Sequence, residues 1–105
     1  MHAAITEKQQ QLAELCRRYG VARLDVFGSA ARGDDFDPAR SDADFLVQFR
    51  ADSPLPPLEQ YVGLATDLER LMGRPVDLLE RKALENSRNY IRRRSILSDA
   101  EPVYG

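Results

Sequence analysis

Three aspartates could do chemistry in this sequence. Asp42 and Asp44 stand two apart in "SDADFLVQF", and Asp77 sits inside "PVDLLE". In an extended strand, residues two apart project from one face, so Asp42 and Asp44 pair while Phe45, Val47 and Phe49 point the other way into a core. Asp77 is flanked by Val76, Leu78 and Leu79, where a carboxylate is costly unless it is paired, hydrogen-bonded or metal-bound. If the two strands are neighbours, all three carboxylates share a face. Three carboxylates without a histidine form a hard-oxygen set, suited to magnesium or manganese rather than zinc.

A complementary half lies upstream. Gly28-Ser29 follows the β-rich run "VARLDVF", and a strand that turns through Gly-Ser toward a helix offers backbone N–H groups and a hydroxyl. Those donors suit phosphate oxygens. A phosphate cradle beside a carboxylate-held metal is the arrangement of phosphoryl or nucleotidyl transfer. Between the two halves, Asp34, Asp35 and Asp37 crowd the connecting segment, and from Asp34 to Asp44 only Arg40 opposes the aspartates. These three ride in a long connector with no common face, and water relieves their repulsion. They read as a solvated loop.

The elements that must position these groups follow from periodicity and punctuation. Thr6 and Gln9 have capping-box spacing, and Leu12, Leu15, Cys16 and Tyr19 then recur at helical spacing up to Gly20. Strands are expected over Val21–Phe27, Ser41–Phe49 and Pro75–Glu80. Between the second and third, Leu58, Tyr61, Val62, Ala65, Leu68 and Met72 mark one face of an amphipathic helix that Gly73 ends. A last helix is expected over residues 85–100, and "EPVYG" could add a short extended piece. The implied fold class is α+β, a mixed sheet of three to four strands covered by helices in one domain over residues 1–105.

Bulk properties exclude several other classes. With 43% hydrophobic and 30% charged residues the chain has the composition of a globular domain. A net charge of −2 argues against a protein that coats nucleic acid, so no direct nucleic-acid binding is expected. The one cysteine, Cys16, reads as a small buried hydrophobe, and the one histidine, His2, lies at the N-terminus, away from any catalytic pattern. No apolar run is long enough to span a membrane and no signal-peptide pattern is seen at Met1, so a cytoplasmic location is expected.

"GSAARG", then "SDADFLV", then "VDLL", with a closing "PVYG", resembles the minimal nucleotidyltransferase family of the DNA polymerase β-type nucleotidyltransferase superfamily. The match runs from about Val21 to Gly105. Twelve residues separate Ser29 from Asp42, where the family commonly has ten, so the acidic loop is longer by two. The resemblance implies that Asp42, Asp44 and Asp77 hold two magnesium ions, with Asp77 helping to activate the acceptor hydroxyl. It implies that Gly28 and Ser29 hold the phosphates of ATP, with Arg32 as a further phosphate contact. Members often act as antitoxins paired with a HEPN-type ribonuclease toxin, and some transfer AMP to a tyrosine of that toxin. A HEPN-type toxin and ATP are therefore the expected partners, with a homo- or hetero-oligomer open.

Plainer readings stand beside these. Gly28-Ser29 alone is a common turn, and Asp77 could instead pair with Arg74 or Arg81 on an edge strand. Arg88, Arg92, Arg93 and Arg94 read as a solvated helix face, with a patch for an acidic partner or for phosphates as the alternative. A non-catalytic antitoxin that only covers its toxin is the rival function. A small-molecule transferase is a third, less suited to a chain without an added helical domain.

Overall fold

Four strands form the frame of the computed structural model, which describes residues 3–28, 31 and 42–105. β1 (Val21–Phe27) takes the full range read for it, β2 covers Ala43–Phe49 and β3 covers Val76–Glu80. The tail is a strand as well, β4 (Glu101–Tyr104). Their order is β3-β2-β1-β4. β1 lies antiparallel to both β2 and β4, whereas β2 and β3 are parallel. A parallel pair needs a long crossover, and the helix between these two strands supplies it.

The helices are α1 (Ala3–Thr6), α2 (Gln9–Arg18), α3 (Pro57–Met72), α4 (Arg81–Glu85) and α5 (Tyr90–Asp99). α2 and α3 cover one sheet face. There Leu12, Leu15, Cys16, Leu64, Leu68 and Met72 pack against Leu24, Val26, Ala43, Phe45, Val47 and Leu78. Each such side chain contributes roughly 1.5–3 kcal/mol by leaving water. The alternate residues of the strands face a smaller cluster, in which Phe27 and Leu46 meet Leu84 of α4 and Ile96 of α5. The period-two pattern of β2 thus feeds two unequal cores.

Three expectations about helices need correction. Thr6 does not cap a helix: it ends α1, its hydroxyl donating to the Ala3 carbonyl at 3.2 Å, and α2 starts at Gln9 after Lys8. Leu58 and Val62 are 74% and 51% exposed. The rest of the expected face holds, with Tyr61, Ala65, Leu68 and Met72 packed in or against the larger core, but the fully buried stripe is turned toward Gln60 and Leu64. The last helix starts at Tyr90, not near Glu85, and a separate short helix, α4, precedes it. α4 begins directly after β3, and Asn89 restarts the chain by accepting a hydrogen bond from the Arg92 amide at 3.0 Å.

α4 is tied to the sheet by charge as well as by Leu84. Asp25 of β1 is fully buried, with Arg23 Nε donating to one carboxylate oxygen at 2.9 Å and Arg81 Nη2 to the other at 2.6 Å. Arg81 is therefore committed to Asp25. Among the described residues, no helix is long and apolar enough to cross a membrane.

Candidate active site

Strand register decides which carboxylates meet. Asp44 is the register partner of Phe27 across the antiparallel pair and of Asp77 across the parallel one. Asp77 and Asp44 therefore sit side by side on neighbouring strands, on the face opposite Phe45 and Leu78. The same face carries Leu46 and Leu79 one step further along, so apolar packing backs the pair from one side only.

Gly28 closes this end of the sheet. Its φ of +69° belongs to the left-handed region, and a Cβ there would lie 2.6 Å from Asp44 Oδ2. Only a residue without a side chain lets the turn pass so near that carboxylate. The turn continues as the Ala31 amide donates to the Gly28 carbonyl at 3.1 Å, and Ala31 is buried in the larger core. Ser29 and Arg32, the other expected phosphate contacts, lie outside the described residues, as do Asp34, Asp35 and Asp37.

A cleft of about 520 Å³ opens over the pair, with Phe27, Gly28, Asp44 and Asp77 at its floor and Asn89, Arg92 and Asp99 among the residues of its wall. Asp77 is exposed and Asp44 half-buried. Asp42 is exposed too, one residue before β2 begins, and is not part of the cleft lining. Among the described residues, no three His, Cys, Asp or Glu side chains are gathered as a metal-ligand group. What the sheet brings together is a pair, Asp44 with Asp77. A pair of carboxylates in an open cleft still fits magnesium, which takes one or two protein carboxylates and completes its shell with water and substrate phosphates.

Of these wall residues, Arg92 was read only within a basic run with a phosphate or partner patch as the alternative, and Asn89 and Asp99 were not singled out. Reading one continuous helix over residues 85–100 hid the break that aims α5 at the cleft. The signal available was the cap-forming Asn89 just before "YIRRR".

Comparison with known proteins follows the same lines. The model of the nucleotidyltransferase domain family matches residues 8–99. The chain belongs to that family. Among its relatives, the protein adenylyltransferase MntA of Thermococcus cleftensis is 38% identical over 73 residues, 70% of this chain and 69% of that protein. A solved structure described as a minimal nucleotidyltransferase superposes with a TM-score of 0.73 at 31% identity, covering 97% of this chain and 96% of that one. A chain from the complex of tri-AMPylated Shewanella oneidensis HEPN toxin with an MNT antitoxin shares the fold, with a TM-score of 0.62 at 18% identity over 96% of this chain and 72% of that one. The mixed α+β sheet expected from the sequence is thus the nucleotidyltransferase fold.

Proposed function

We propose that this nucleotidyltransferase is a magnesium-dependent protein adenylyltransferase that moves AMP from ATP to a tyrosine hydroxyl of a HEPN-type toxin and so acts as its antitoxin. The register pairing of Asp44 with Asp77 beside Gly28 carries the reading. The name of the Thermococcus relative and the AMPylated HEPN complex support the acceptor class.

In this reading Asp44 and Asp77 hold magnesium, with Asp42 joining from the mouth of β2, and Gly28, Ser29 and Arg32 hold the triphosphate. Bound there, magnesium neutralises phosphate charge and lowers the pKa of an acceptor hydroxyl. The acceptor oxygen attacks the α-phosphorus of ATP and forms the new O–P bond. The bond from that phosphorus to its bridging oxygen breaks, and pyrophosphate leaves. Asp77, exposed at the cleft, takes the hydroxyl proton. A phenol, with a pKa near 10, needs less assistance than an alkyl hydroxyl.

The test is intact-mass analysis of a candidate HEPN-type acceptor after incubation with this protein, ATP and magnesium. A gain of one or more AMP units is expected. Asp44→Asn and Asp77→Asn should each slow transfer by roughly a hundredfold or more while leaving circular dichroism and melting unchanged. Neutralisation of the toxin with no mass gain would favour the covering antitoxin instead.

A further inference from the structure

α5 buries little of itself. Of its ten residues only Ile96 is buried, and Tyr90 and Ile91 are 58% and 79% exposed. A helix held to its domain by so narrow a contact leaves most of its apolar surface unpartnered. That surface is a shallow groove of about 360 Å³ lined by Tyr90, Ile91, Arg94, Ser95 and Ser98. Ile91 and Ser95 also line the cleft over Asp44 and Asp77, so groove and cleft share one ridge.

The groove is stiff at its start. Arg93 Nη1 donates to the Ser87 carbonyl at 3.0 Å and the Glu85 carbonyl at 3.4 Å, and its guanidinium lies 5.7 Å from the centre of the Tyr90 ring. The ring is thereby offered to solvent on a fixed support, which lowers the ordering cost of anything that packs on it. Arg88, Arg92 and Arg94 are exposed, and none of the ion pairs among the described residues uses them. Tyrosine, isoleucine and arginine together have the composition of a protein-binding surface, since a phosphate track would not require the two apolar anchors.

We propose that the Tyr90–Ile91–Arg94 ledge of α5 docks an acidic segment of the acceptor protein, next to the hydroxyl that enters the cleft. Arg94 of the ledge, with Arg92 in the wall of the adjoining cleft, selects the sign of the segment, and the shared ridge sets it against the reacting carboxylates. The role of the docked protein as acceptor rests on the adenylyltransferase reading. The docking itself does not depend on catalysis.

The experiment is fluorescence anisotropy with a labelled random copolymer of glutamate and tyrosine, set beside AMP transfer to the same copolymer and to N-acetyltyrosine amide. Wild type should bind the copolymer, and Asp44→Asn should bind at least as tightly while transferring nothing. Arg94→Glu and Tyr90→Ala should each weaken binding roughly tenfold. Both should keep wild-type melting and wild-type transfer to N-acetyltyrosine amide. Binding by wild type with no transfer to the copolymer, to N-acetyltyrosine amide or to the HEPN-type acceptor would sink the adenylyltransferase reading and leave the docking standing. Equal binding by Arg94→Glu, no binding by wild type, or a preference of the same residues for an oligoadenylate would overturn the docking.

Discussion

Gly28 and Gly73 show how one residue type serves two purposes. Both have positive φ, at 69° and 67°, so both would be strained by a side chain. Around Gly73, the C-cap of α3, a Cβ would meet nothing within 4 Å, whereas at Gly28 it would run into the Asp44 carboxylate. Each substitution to alanine should therefore cost about 1 kcal/mol of stability, read by urea denaturation. Only Gly28→Ala should also displace Asp44, and AMP transfer should fall at least about tenfold in that variant alone. Similar losses of transfer in both would show that backbone strain, not the contact with Asp44, matters.

At the scale of elements, the Arg23–Asp25–Arg81 cluster binds the small helix α4 to the sheet. Arg23 is 45% exposed and its ion pair contributes little, but Arg81 is only 16% exposed and Asp25 is sealed from water. Removing one partner strands the other without solvent. Asp25→Ala is expected to destabilise the fold by roughly 3–5 kcal/mol, measured by the urea midpoint. Asp25→Ala combined with Arg81→Met should recover much of that loss, because the buried cation goes with its partner. A double variant as unstable as Asp25→Ala would mean that the cost comes from the packing of β1.

Across the whole molecule, the interface of α2 with α3 and the sheet sets an alkaline limit. Burial pushes the Cys16 thiol up from 9.0 to about 12. The hydrogen bond from the Tyr19 hydroxyl to Asp67, on α3, raises the Tyr19 phenol above its usual 10.0. In both groups the fold favours the protonated form, so their stabilisation is complete below the unfolded pKa and is lost as pH rises toward the folded one. Unfolding free energy should thus decline above about pH 9, by up to ~1.4 kcal/mol per pH unit from Cys16 alone. In Cys16→Ala the decline should begin nearer pH 10, where Tyr19 takes over. Chemical denaturation between pH 8 and 11 checks both slopes.

Much of this organisation was written locally in the chain. Glycines at 20, 28 and 73, the β-rich run of Val21–Phe27 and the alternation around Asp44 fixed the strands, because turn chemistry and side-chain period act within a few residues. The motif "GSAARG … SDADFLV … VDLL" likewise carried the family by itself. Other features depended on contacts between distant segments. The choice of Leu64 over Val62 as the buried face of α3 came from how that helix meets the sheet. The break before Tyr90 is not marked by the arginine run, which continues helical spacing without showing where the chain must turn back over the cleft. Nothing local in "VARLDVF" marks Asp25 as a buried ion-pair partner, since Arg81 lies 56 residues away. The sequence supplied the three aspartates and their spacing. Tertiary structure alone set Asp77 beside Asp44 and left Asp42 at the exposed mouth of β2, because strand register is fixed by packing across the sheet and not by either strand alone.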